Sequence, residues 1–355
     1  MLKPIIGILG GGQLGMMLCD AAKKIGLETH TFCPDDEFPS KSKSTYFTIG
    51  EYTDEKKVIK FSNEVDFITY EFENIPIKTI DFIKDKEKIR PGKLSLLLTQ
   101  DRLVEKEFLE KLNIPIAPYK VIRNSNDISS AQSEFTNSIV KTRTLGYDGK
   151  GQFSLSKSDN PDEVFKKIKN KSIVEKKIPF EFEVSVIIAR DKKNNLSYFP
   201  IGRNIHENHI LKYTYTPFDL SKTQTEELIN YSKMIISELN HIGVLAVEFF
   251  VTKNKILVNE IAPRVHNSGH WTIDACNVSQ FEQHMICVSG GKIKKPLLKY
   301  SAQMTNIIGD EIYEWYDKNN TYNVKIYLYN KNEVKKGRKM GHVTELFDKD
   351  RTFKD

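Results

Sequence analysis

Glu248 and Glu260 stand in the stretch VEFFVTKNKILVNE. The stretch reads as a hairpin that turns over Lys253-Asn254-Lys255, and Asn254 is midway between the two acids. In an antiparallel pair with a three-residue loop, they face each other with Cβ atoms about 5 Å apart. Both neighbourhoods are apolar (LAVEFF, ILVNEI), and directly opposed like charges destabilise a sheet, so a cation must neutralise the pair. Magnesium takes one or two carboxylates plus phosphate oxygens from a substrate, which is what such a pair offers. A register slip would leave one glutamate in solvent; the apolar flanks disfavour it.

A second constellation lies upstream. Lys141 ends an apolar strand, Gly146, Gly149 and Gly151 follow, and the chain re-enters a strand at Phe153. A glycine loop between strands is a flexible flap whose N–H groups can close over phosphates, with Lys141 as a point charge beneath. A plain hairpin loop fits the same glycines. After Glu260, IAPRVHNSGHW crowds Arg264, His266, Asn267, Ser268 and His270 into a turn-rich segment, the texture of a substrate loop. Zinc on His266 and His270 is disfavoured by Gly269 and by the lack of a third ligand. His206 and Glu183 read as ordinary surface residues, the first on a loop and the second on the wet face of an alternating strand.

These residues need a scaffold. The first hundred residues alternate strand and helix: PIIGILG, LGMMLCDAAKKIG ending at Gly26, LETHTF, VDFITYEF, IPIKTIDFIKDK. That is the rhythm of a small doubly wound sheet. Within it, Gly10, Gly12 and Gly15 fit G-x-G-x-x-G, a dinucleotide-binding turn. Asp35 lies where such a binder keeps its ribose acid, but Pro34 breaks the strand before it. From about Gln100 the texture changes to a helix (DRLVEKEFLEKLNIP), strands around the glycine loop and around Pro179, and the hairpin. After Gly290 the composition is β-like again, with YNVKIYLYNK as a strand.

The chain has 355 residues, four cysteines without a C-x-x-C pair, and a net charge of +6 carried by lysines scattered among acids. Two or three domains, buried reduced thiols and a cytosolic setting follow from that pattern. Runs such as KDKEK lack the interleaved aromatics of single-strand binding, so nucleic acid is not an expected partner. No apolar run is long enough for a bilayer, and MLKPIIGILGGG lacks the marks of a signal peptide. Small anionic substrates suit the modest positive surplus.

The segments GILGGGQLGMM, TYEFENIP, DRLVEKEFL, GYDGKGQ, NEIAPRVHNSGHWT and GRKMGH span residues 7 to 342. With the flap, the strand lysine and the paired glutamates, they resemble the ATP-grasp superfamily. Within it they are similar to the 5-(carboxyamino)imidazole ribonucleotide synthase family of purine biosynthesis. The resemblance implies an α/β and α+β ATP-grasp architecture. A doubly wound, Rossmann-like pre-ATP-grasp domain would span 1–100, the ATP-grasp domain with its flap 101–290, and a small β-rich domain 291–355. It implies ATP- and bicarbonate-dependent carboxylation of 5-aminoimidazole ribonucleotide, releasing ADP and phosphate, with magnesium or manganese. It also implies a cytoplasmic homodimer beside the mutase that uses its product.

Carried over by motif, ATP would meet Arg102, Lys141, Gly146, Tyr147, Asp148, Gly149, Lys150, Gly151, Gln152, Glu175, Lys176, Lys177, Ile178, Glu183, His206, Asn259 and Glu260. Glu248 and Glu260 would hold the metal. Gln13, Glu73, Arg264, His266, Asn267, Ser268, Lys331, Arg338 and Lys339 would take the ribotide, several of its cations clamping the phosphate. Asp148, Lys331 and Arg264 are the catalytic candidates, Asp148 as proton acceptor for the amine. Two positions depart from the family pattern: Val265 replaces a usual proline, and Ala262 stands where many ATP-grasp enzymes keep a metal-binding asparagine. A dehydrogenase would explain the first forty residues alone; another ATP-grasp ligase acting on a phosphoribosyl or carboxylate substrate, or a non-catalytic nucleotide binder, are the remaining alternatives.

Overall fold

The computed structural model describes residues 3–146, 149–168 and 171–353. The first sheet is parallel, with strands β1 (Ile5–Leu9), β2 (Glu28–Cys33), β3 (Tyr46–Ile49) and β4 (Phe67–Tyr70) in the order β3-β2-β1-β4. Helix α1 (Gln13–Lys24) follows β1 and buries Met16, Met17, Leu18, Cys19 and Ala22. It ends where the sequence suggests, with Gly26 at φ +82°, a conformation a side chain would resist. All four cysteines are buried free thiols.

The second sheet is antiparallel: β5 (Tyr119–Ile122), β6 (Ser138–Thr142), β7 (Gln152–Leu155) and β8 (Ser172–Lys176), in the order β5-β8-β6-β7. The glycine flap joins β6 to β7. Asp101 fixes its base. That carboxylate caps the helix Arg102–Lys111 by accepting from Leu103 N–H (2.9 Å), and also accepts from Arg143 Nε (2.9 Å) and Nη2 (2.5 Å). One side chain thus satisfies an orphan helix donor and ties the helix to the strand that launches the flap.

The third sheet has nine strands: β9 (Phe182–Arg190), β10 (Leu196–Tyr198), β11 (Gly202–Glu207), β12 (Ile210–Thr216), β13 (Gly243–Val251), β14 (Ile256–Ala262), β15 (Ser301–Ile308), β16 (Val324–Leu328) and β17 (Lys339–Phe347). Strand β15 pairs with β12 (Tyr213 opposite Thr305), so the strands beyond residue 290 continue this sheet. One apolar core holds Ile8 and Leu18 of the first segment, Ala246 and Trp271 of the middle, and Ala302 and Tyr329 of the last.

The hairpin β13–β14 sets Glu248 opposite Glu260, as expected, but by a different route. The turn is not the three-residue loop Lys253-Asn254-Lys255. Thr252 N–H donates to Lys255 O (3.0 Å), and Thr252 Oγ1 accepts from Lys255 N–H (3.2 Å), so the loop closes tightly over Lys253-Asn254. The pairs Val251–Ile256 and Phe249–Val258 would then put Asn259 opposite Glu248. A bulge at Asn259 shifts the register by one and brings Glu260 across instead.

Candidate functional site

A cleft of about 990 Å³ runs between the second and third sheets, with the mouth of the first sheet at one end. Glu248, on its third-sheet wall, is 8% exposed, and its Oε1 has no hydrogen-bond partner. His266 Nδ1 lies 3.8 Å away, but burial, with Arg264 nearby, holds that imidazole neutral. Burial, then the facing Glu260 carboxylate, push the Glu248 carboxyl above its usual range. A buried carboxylate oxygen with no donor, beside a second carboxylate, fits a hard divalent cation. No cluster of three or more His, Cys, Asp or Glu suited to a metal occurs among the described residues. A cation held by Glu248 and Glu260 would therefore draw its other ligands from water or substrate.

His206 is not on an exposed loop. It stands on β11, a quarter exposed, with Nδ1 hydrogen-bonded to Glu183 of β9. Burial opposes its protonation, but Glu183 and Glu248 outweigh it and raise its pKa. Glu183 does share a face with Glu181. That face lines the cleft, with Glu183 partly buried and Glu181 at its exposed end.

Lys141 donates to Glu175 Oε2 (2.7 Å) while Lys106 lies 3.1 Å from Oε1, all three side chains being buried. Burial works against this carboxylate, yet the two lysines hold its pKa down at about 2. Glu175 therefore turns its side chain to the lysines, and Lys176, Lys177 and Ile178 continue along the cleft. Arg102 reaches Glu260 Oε2 (3.4 Å) and the carbonyl of Gly146 (3.4 Å), linking the Glu260 carboxylate to the flap. Gly149, Lys150 and Gln152 line the cleft, whereas Gly151 packs against Thr142. Tyr147 and Asp148 lie outside the described residues.

At the far end, Arg264 grips Glu73 by two hydrogen bonds, one of them from Nη2 to Oε1 at 3.0 Å. Asn267 is also there, with both side-chain polar atoms buried and unpartnered. Ser268 does not line the cleft; its hydroxyl lies 2.8 Å from His266 Nδ1 and orients that ring. Gln13, His266 and Lys339 line the cleft, while Lys331 and Arg338 line an adjoining cavity of about 510 Å³. The cations expected around one phosphate are thus divided between two spaces that share Gly12, Gln13 and Glu71.

Two residues of the site carry little signal of their own in the sequence. Glu105 and Lys106 sit on a charged, amphipathic helix and look like surface, yet both are buried. Glu105 accepts from Ile261 N–H (3.3 Å), and burial with Glu260 nearby raises its carboxyl pKa. Glu71 stands in TYEFENIP, where an acid just after a buried strand and beside a glycine turn is the signal. Its carboxylate accepts from the N–H groups of Gly12 and Gly15.

Three family models match the chain: a ribonucleotide synthetase preATP-grasp domain over residues 3–100, an ATP-grasp domain over 107–281, and a phosphoribosylaminoimidazole carboxylase C-terminal domain over 302–355. The chain is 38% identical over 352 residues to N5-carboxyaminoimidazole ribonucleotide synthase of Brucella melitensis, covering 97% of each. It is 37% identical to the bifunctional purine synthesis protein of Dictyostelium discoideum, matching 96% of this chain but 37% of that longer one. Among solved structures, an N5-carboxyaminoimidazole ribonucleotide synthetase in complex with ADP superposes with a TM-score of 0.93, at 37% identity and 98% and 94% coverage of this chain and that one. The Aspergillus clavatus synthase in complex with ADP and 5-aminoimidazole ribonucleotide superposes at 0.89, with 26% identity and 98% and 94% coverage.

Proposed function

The chain belongs to the N5-carboxyaminoimidazole ribonucleotide synthase family of ATP-grasp ligases, and from that premise we propose how its own residues carry out ATP-dependent carboxylation of 5-aminoimidazole ribonucleotide in purine biosynthesis. The observation that carries the reading is the facing pair Glu248–Glu260, with a buried, unpartnered Glu248 oxygen beside a cleft that Lys141 and Gly149 also line. ATP lies in that cleft. Glu248 and Glu260 would hold a magnesium ion, which would supply neutralisation of the phosphate charge.

Bicarbonate is a poor electrophile. Its oxygen attacks the γ-phosphorus in line, ADP leaves, and carboxyphosphate forms. Little covalent work falls to the protein here; Lys141 and the flap N–H groups position and neutralise the phosphates. The ribotide amine then attacks the carboxyl carbon of carboxyphosphate or of the carbon dioxide it releases. The N–C bond forms, phosphate departs, and the amine gives up a proton, for which Asp148 is the proposed acceptor. Closure of the flap keeps water from the intermediate. The ribotide sits where the two cavities meet at Gly12 and Gln13, its phosphate toward Lys331 and Arg338 and its base toward Arg264 and Glu73. Arg264 is then already oriented by Glu73 when the acceptor arrives.

Phosphate release from MgATP tests the reading directly. It should require bicarbonate and rise several-fold with 5-aminoimidazole ribonucleotide, with one carboxylated ribonucleotide formed per phosphate. Phosphate release that ignores both co-substrates, or responds to a different acceptor, would overturn it.

A further inference from the structure

The glycines of the dinucleotide-type turn close on a side chain of this same chain. Glu71, just beyond β4, accepts hydrogen bonds from the N–H groups of Gly12 and Gly15, the second at 2.6 Å. Gly12 caps α1 and Gly15 lies in its first turn. These are donors that a helix leaves unsatisfied, at its positive end. In a dinucleotide-binding sheet that place takes a pyrophosphate. A Cβ on Gly12 would come within 2.7 Å of Glu71 Oε1, one on Gly15 within 3.2 Å of Oε2, and one on Gly10 would collide with the Glu71 Cγ. Gly10 and Gly12 clear room for the Glu71 side chain, while a Cβ on Gly15 would first meet the Gly10 carbonyl oxygen at 2.9 Å. Glu71 is 7% exposed, yet it borders both the large cleft and the smaller cavity.

We propose that Glu71 is a built-in anion that occupies the phosphate place of the glycine turn, bars a dinucleotide from it, and acts as the positioning residue that sets the turn and Gln13 against the acceptor. This rests on the reading of the meeting point of the two cavities as the acceptor site. Glu71 acts through the turn rather than on a reacting atom. Gln13 directly follows Gly12, opens α1 and borders both cavities, so the backbone that Glu71 fixes also fixes Gln13. Without the carboxylate, two N–H groups lose their acceptor and a glycine-rich segment regains its freedom.

Glu71→Ala empties the turn, and formate is the probe that refills it. The variant should raise the KM for 5-aminoimidazole ribonucleotide by about tenfold and leave the KM for ATP within about twofold, with formate restoring most of the acceptor KM. A carboxylate that is merely structural would change both constants together and show no formate effect. Glu71→Gln is the second variant, for the case that the first does not fold. It keeps the shape but offers one acceptor oxygen to two donors, and its acceptor KM should rise by a few-fold. An unchanged acceptor KM, or one that formate does not move in Glu71→Ala, overturns the proposal. The occupied turn is also read without substrate: formate should raise the Tm of Glu71→Ala and not that of the wild type. That rise, seen alongside a wild-type enzyme with no turnover of the ribotide, would sink the acceptor reading and leave the occupied turn standing.

Discussion

Glu248 and Glu260 set a local conflict that a bound divalent cation would relieve. Two facing carboxylates, one of them 8% exposed with an unpartnered oxygen, destabilise the free protein. Glu248→Gln or Glu260→Gln should therefore nearly abolish turnover while leaving the metal-free Tm equal or higher. Wild-type turnover in both variants would end the paired-carboxylate reading. Glu175 sets the opposite case, since its two lysines hold its pKa down at about 2. A carboxylate depressed in the folded state stabilises above its unfolded pKa of about 4.3 and loses that contribution as pH falls toward its folded value. Glu175→Gln should cost about 3–5 kcal/mol at neutral pH, because two buried lysines lose their partner. The gap between wild type and variant in chemical unfolding should shrink between about pH 4.3 and pH 2; a gap that ignores pH would show that the lysines find other partners.

Legibility changes with the element. The parallel sheet, α1 and its stop at Gly26 follow from apolar periodicity and one glycine, signals that are local in sequence. The hairpin reading reached the right pair through two errors that cancel. The turn is one residue shorter than the sequence suggests, and the bulge at Asn259, which no residue type announces, restores the register. His206 and Glu183 could not be placed, because whether a strand is central or at an edge is decided by partners far along the chain. Glu105 and Lys106 were hidden for a similar reason: a charged helix looks solvated until a sheet is laid over it. The flap belongs to this scale. Gly149 sits at φ +77°, and a Cβ there would press on His209. Proline fixes φ near −65°, so Gly149→Pro cannot keep this loop conformation. Turnover should slow and the ratio of carboxylated product to phosphate should fall, since water reaches the intermediate through a flap that no longer closes. A ratio held at the wild-type value would mean that the flap protects nothing.

At the scale of the whole molecule, the smaller cavity is assembled from the two ends of the chain. Gly12, Gln13 and Glu71 come from the turn, helix start and strand end at the mouth of the first sheet, and Lys331, Lys335 and Arg338 come from the segment between β16 and β17. They meet because the last three strands extend the third sheet and share one core with α1. Arg338 is fixed there by a hydrogen bond from Nη1 to Glu333 O (3.1 Å), and Lys331 Nζ donates to Lys339 O (2.7 Å), so the loop holds its own cations in place. A ribotide phosphate carries close to two negative charges and gains most from preplaced cations of this kind. Arg338→Ala should raise the KM for the ribotide by the equivalent of about 1.5–3 kcal/mol, the loss of a charge-assisted hydrogen bond. The KM for ATP should stay nearly constant, because Arg338 lines the smaller cavity and not the cleft that Glu248, Glu260 and Lys141 face. A surface cation in a lysine-rich protein would leave both constants unchanged, and a residue that merely holds the last strands together would raise both. Only a selective rise for the ribotide fits an acceptor site built from the two ends of the chain.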